Sequence, residues 1–108
     1  MALDFHIAAD LEEASMQERP RYSMDLQTHA SLVRAIQAGG SPPILVRLRD
    51  FFGDAVIAGQ DLVQAETELA RLRDTVAPND LAMAALRELE QVTREAIEAE
   101  MSVLAVCD

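Results

Sequence analysis

The apolar positions of this chain change their period several times, and the changes mark its elements. Leu3, Phe5 and Ile7 alternate with Asp4 and His6, the period of two that sets one face of a strand on a core and the other toward solvent. A first strand is expected there. Residues 9–19 carry only Leu11 and Met16 as large apolar side chains, and Pro20 disfavours a helical residue before it, so that stretch reads as a loop with about one helical turn. Tyr22, Met24 and Leu26 against Ser23 and Asp25 read as a second strand over 21–26, able to pair with the first.

From Thr28 the period becomes helical. Leu32, Val33 and Ile36 form a stripe, a hydroxyl residue is available as N-cap, and Gly39-Gly40 supplies the left-handed conformations that close a helix. Ser41-Pro42-Pro43 then restarts the chain, since proline is preorganised for a first helical turn. Ile44, Leu45, Leu48, Phe51 and Phe52 continue one stripe as far as Gly53, with both phenylalanines expected as core anchors. The short run 55–57, Ala-Val-Ile, fits either a sheet strand or a tucked loop. Asp61 with Gln64 has the form of a capping box, opening a helix that turns Leu62, Ala65, Leu69 and Leu72 inward and ends before Pro78. Asn79-Asp80 caps a final long helix with Leu81, Ala85, Leu89, Val92 and Ala96 on its main face, and the short connection makes the last two helices an antiparallel hairpin. The valines of segment 102–107 favour a strand beside the first one, with a continued helix as the rival.

These elements predict an α+β fold, predominantly helical, with three to four helices packed on a small sheet formed by the N-terminal and C-terminal strands. A length of 108 residues suits a single domain, 1–108, with one hydrophobic core.

Composition narrows the function. Nineteen acidic residues face nine basic ones, all arginine, for a formal net charge of −10. Such a charge repels phosphate backbones and anionic lipid, so neither nucleic acid nor a membrane is an expected partner. It favours encounter with a basic protein, solubility being the plainer account of the same charge. The single cysteine, Cys107, forbids an intramolecular disulfide and suits a reducing, cytoplasmic setting. The first residues lack a secretory pattern, and no apolar run is long enough to span a bilayer.

Candidate chemistry is sparse. His6 and His29 lack the i,i+4 histidine spacing of a metal site, and there is no glycine-rich phosphate loop, so no cofactor, metal or catalytic residue is assigned. A small ligand- or metal-binding domain or enzyme using both histidines is one alternative; it requires the two imidazoles to line one pocket. Asp50 and Asp54 stand one helical turn apart, each raising the other's proton affinity, and would together receive an arginine or a cation, repulsion tolerated at a helix end being the plainer account. On the final helix Glu88, Glu90, Glu95, Glu98 and Glu100 answer only to Arg87 and Arg94, with Glu90-Arg94 and Arg94-Glu98 spaced for i,i+4 pairs. Asp50, Asp54, Glu88 and Glu95 are therefore the candidate partner-binding charges. The stretch 81–86 is apolar nearly all round, which places it either centrally in the fold or in a homodimer interface.

Leu3-Asp4-Phe5-His6-Ile7, the segment 47–55 (Arg-Leu-Arg-Asp-Phe-Phe-Gly-Asp-Ala), the helix around Glu68 to Leu72 and the closing Val106-Cys107-Asp108 resemble small acidic bacterial proteins, some regarded as immunity proteins against toxins. That resemblance implies a non-enzymatic inhibitor that occludes a basic surface of its partner, and it defines no motif from which binding residues transfer. A dimeric chaperone or adaptor for a secreted effector is a further alternative.

Overall fold

Strand β1 (Leu3–Ala8) and strand β4 (Ser102–Cys107) lie antiparallel at the middle of the sheet, paired from Leu3↔Cys107 to Ala8↔Ser102. The computed structural model describes residues 2–107. β2 (Tyr22–Met24) extends the sheet beyond β1, and β3 (Ala55–Ile57) extends it beyond β4, giving the antiparallel order β2-β1-β4-β3. The α+β architecture follows, with four helices: α1 (Leu11–Ser15), α2 (Leu26–Ala38), α3 (Gln60–Thr75) and α4 (Leu81–Ala99). Both terminal segments contribute strands, and segment 55–57 is a sheet strand.

Strand alternation sorts the side chains into two layers. Leu3 and Phe5 of β1, Ala55 and Ile57 of β3, and Val103 and Ala105 of β4 enter the main core. Leu32 and Ile36 of α2, Leu62, Ala65, Leu69 and Leu72 of α3, and Ala85, Leu86, Leu89, Val92 and Ala96 of α4 close over them. α3 and α4 run antiparallel, as the cross-links Arg73 to Glu90 and Arg94 to Glu66 require. The apolar start of α4 is consumed inside the fold, because Ala82, Met83, Ala85 and Leu86 are buried and only Leu81 and Ala84 face outward. On the opposite side of the sheet, the single short helix α1 packs Ala14 against Ala8 and Leu104.

Helix starts differ from expectation where side chains reach backbone amides. Asp25 is the N-cap of α2, its carboxylate accepting the Thr28 amide at 2.7 Å, so β2 stops at Met24 and Leu26 is helical. This also holds the Asp25 carboxyl below the ordinary aspartate range. Asp10 caps α1 in the same way, and Asp80 caps α4 where the sequence placed a cap. The capping box at Asp61 does not form: α3 begins at Gln60 after Gly59 (φ 56°), Asp61 pairs with Arg47 at 2.9 Å, and Gln64 donates to Glu68 at 2.9 Å.

The largest departure is segment 42–53. In place of a long helix the chain forms a 3₁₀ helix of four residues, Leu45–Leu48, and then a turn. Pro42 and Pro43 offer no amide hydrogens, so the first available donors are Ile44 and Leu45. Both are taken by the buried carboxylate of Glu68, at 3.1 and 3.0 Å. At the other end the Leu48 carbonyl accepts a 2.6 Å hydrogen bond from Nε2–H of buried His29 and is withdrawn from further helix. The Asp50 carboxylate then accepts the Phe52 amide. Phe51 is buried, edge-on to His29, whereas Phe52 is 64 % exposed, so only one of the two phenylalanines anchors the core.

α4 gives way to β4 without a glycine, Glu100 taking the left-handed conformation (φ 56°, ψ 40°). Two stability measurements check this account. By urea unfolding, Phe51→Ala is expected to cost about 3–5 kcal/mol and Phe52→Ala under about 1 kcal/mol. Glu100→Gly removes the left-handed penalty of a side chain and is expected to raise stability by up to about 1 kcal/mol; a loss instead would show that Glu100 makes a compensating interaction.

Candidate partner-binding face

The outer side of the sheet is only partly covered. Register puts Asp4, His6 and Ala8 of β1, Ser102, Leu104 and Val106 of β4, and Val56 of β3 on this face. α1 hides Ala8 and Leu104; Val56 stays 44 % exposed and Leu11, on α1, 43 % exposed. Between α1 and the sheet runs a groove of about 220 Å³ lined by His6, Leu11, Ala14, Ser15, Asp54 and Val106. Its floor is apolar, and among the described residues no arginine lines it. Asp10, Glu12 and Glu13 stand on or beside α1, within a turn of the lining residues.

His6 is almost wholly enclosed, and its Nδ1 lies 2.9 Å from Oε1 of Gln17, whose Nε2 donates to the Ile7 carbonyl at 2.9 Å. His29 sits on the other side of the sheet, in the core layer of α2. The two imidazoles therefore do not share a cavity, and each is held by its own hydrogen bond. The sheet separates the two groups that the ligand-binding alternative needs together. Among the described residues no three His, Cys, Asp or Glu side chains are grouped to hold a metal ion.

Of the four candidate contact charges, Glu88 and Glu95 share one arginine. Arg21, at the entrance to β2, reaches to α4 and holds Glu95 with hydrogen bonds of 3.0 Å from Nε and 2.5 Å from Nη2, while its Nη1 lies 3.9 Å from Glu88. These bonds from Arg21 keep the Glu95 carboxyl below the usual glutamate range against the opposing effect of desolvation, with the positive charge of Arg21 adding to them. Glu90 is held by Arg73 at 2.9 Å, and Arg94 crosses to Glu66 on α3, so the i,i+4 pairs expected along α4 are replaced by links between helices. Asp50 is engaged in its own turn. Asp54 alone of the four lines the groove, and among the described residues it has no hydrogen-bond or ion-pair partner.

Compared with protein-family models, curated proteins and solved structures, the chain matches none. Every carboxylate in an ion pair of the described residues, Asp61, Glu66, Glu88, Glu90 and Glu95, stands on α3 or α4. Five of the eight carboxylates on α3 and α4 are thus paired with arginine, whereas Asp54 in the groove is not.

Gln17, which holds His6, and Val106, which lines the groove, are not among the candidate site residues of the sequence. Gln17 lies in a loop without period and carried no signal. Val106 did carry one: pairing of β4 with β1 puts it opposite Asp4, on the face that strand alternation assigns to solvent. The Arg21–Glu95 link is checked by following the Glu95 carboxyl carbon through an acid titration by NMR. Its midpoint is expected below that of an ordinary glutamate and should move up in Arg21→Gln; an unmoved midpoint would contradict the pair.

Proposed function

We propose that this chain is a non-enzymatic protein-binding module of the immunity type, a cytoplasmic inhibitor that docks a basic protein on its outer sheet face. The single observation that carries this reading is the division of charge between the layers. Guanidinium groups pair with five of the eight carboxylates on α3 and α4, whereas the groove beside α1 combines an unpartnered Asp54 with exposed Leu11, lies among Asp10, Glu12 and Glu13, and shares its sheet face with exposed Val56. Acidic rims speed encounter with a cationic surface, and the apolar floor supplies the desolvated contact that slows escape. Glu88 and Glu95 are better read as the anchor of Arg21, which ties the start of β2 to α4. No helix among the described residues is long and apolar enough to cross a membrane.

A photo-crosslinking residue at position 56, introduced in cells that express the chain, should capture a protein with a basic surface; one at position 63, on the helical layer, should not. With that partner purified, affinity should fall as salt rises. Asp54→Asn should weaken it by about three- to tenfold, the size of effect usual for a rim charge, while Glu88→Gln leaves it unchanged. Affinity insensitive to salt and to Asp54→Asn would refute the reading.

A further inference from the structure

The groove holds an arrangement of hydrogen-bonding groups more specific than acidity. Gln17 has no freedom in how its carboxamide points, because its amide nitrogen donates to the Ile7 carbonyl, which can only accept. Its oxygen, turned to His6 Nδ1 at 2.9 Å, is then an acceptor, and Nδ1 must carry the proton. In the neutral ring Nε2 is left with a lone pair. The imidazole is only 8 % exposed, it lines the groove, and among the described residues Nε2 has no partner. The hydroxyl of Ser15, also on the groove wall, spends its hydrogen on the Glu12 carbonyl at 2.7 Å and likewise offers lone pairs. Asp54 adds a carboxylate. All three polar side chains lining the groove are therefore acceptors, set around an apolar floor of Leu11, Ala14 and Val106.

A ligand group that satisfies such a site needs several donors, no acceptor, a positive charge and an aliphatic stem. A lysine ammonium has three rotatable donors on a compact centre, and its four-carbon stem suits the apolar floor. A guanidinium presents its donors in a rigid planar fork that matches one carboxylate edge rather than three separate acceptors. The chain itself contains no lysine, so no lysine of its own competes for the site.

We infer that the groove between α1 and the sheet is a lysine-reading subsite, in which His6 Nε2, Asp54 and Ser15 receive the ammonium of a lysine from the docked partner. The inference rests on the docking reading above and names the side chain that the face selects. Gln17 is a positioning residue that holds the ring in its accepting tautomer.

The test uses the intact protein and Nα-acetyl-lysine N-methylamide as probe, with the norleucine and arginine analogues as controls. Long-range ¹⁵N NMR of the free protein should show His6 protonated at Nδ1. The lysine amide should shift the His6 Nε2 and Val106 methyl signals with weak, saturable binding, the norleucine amide should not, and the arginine amide should bind less well. His6→Phe, which keeps ring volume, and Asp54→Asn, at an exposed position, should each weaken the lysine probe at least about threefold. A ring protonated at Nε2, or equal response to all three amides, overturns the assignment. Partner capture at position 56 that persists in His6→Phe, without any lysine-amide response, sinks the subsite and leaves the docking face standing. Lysine-amide binding without partner capture does the reverse.

Discussion

The register between β1 and β4 is the constraint on which the remaining structure depends. Side chains in a strand alternate between faces, so a slip of one residue would carry Leu3 and Phe5 out of the core and bring Asp4 and His6 into it. The six rungs from Leu3↔Cys107 to Ala8↔Ser102 hold both faces at once. They present Leu3, Phe5, Val103 and Ala105 to the helices, and by the same alternation they align His6 with Leu104 and Asp4 with Val106 on the outer side. Burial of the inner face is what fixes the register, at roughly 25 cal/mol for each Å² of apolar surface removed from water. The outer groove inherits its geometry from that burial without having to stabilise itself.

A second chain of constraint runs through the polar groups in the core layer. A buried carboxylate is costly unless its oxygens are satisfied, and Glu68 meets that condition by accepting two amides freed by the Pro42-Pro43 pair and one hydrogen from Gln64. This pins the start of the 3₁₀ helix to α3. His29 pins its end to α2 through the Leu48 carbonyl. Between them these contacts decide where the chain turns at Asp50 and Gly53, hence where β3 joins β4, and so where Asp54 stands relative to His6. Residues far from the groove in sequence thus set the position of one of its walls.

How much of this was legible in the sequence follows from what kind of interaction decides each element. Elements fixed by apolar period were readable: the first and last strands, the α3 and α4 stripes and the antiparallel hairpin they form. Elements decided by one side chain reaching a distant backbone group were not. The helix expected through Phe52 has the right apolar spacing, but Glu68 and His29, 24 and 19 residues away from the backbone groups they bind, override it. Asp25 reads as part of a strand until its carboxylate is seen to take the Thr28 amide. Charge suffered most. The i,i+4 spacing on α4 proposes partners along one helix, whereas Arg73, Arg94 and Arg21 reach α4 from outside it or leave it for α3, and only tertiary structure supplies that information. For the groove, β-alternation placed His6 on the outer face, but nothing in the sequence linked it to Gln17 or Asp54.

The protein's net charge is a poor guide to what its surfaces do. At physiological ionic strength interactions between exposed charges fade over about 8 Å, while the molecule measures 36 × 29 × 20 Å. Opposite faces are then nearly independent, and an approaching partner responds to the balance of charge within its own neighbourhood. On the helical layer that balance is set by guanidinium groups spent within the fold: Arg21 on Glu95 and Glu88, Arg73 on Glu90, Arg94 on Glu66 and Arg47 on Asp61. Exposed pairs of this kind add little stability, so their main electrical consequence is to quiet one face. The groove side keeps Asp54 uncompensated beside apolar surface, and an uncompensated charge next to a dry floor is where a complementary cation gains most from being buried. The difference in charge between the two faces therefore comes from the placement of a few arginines rather than from the surplus of acids.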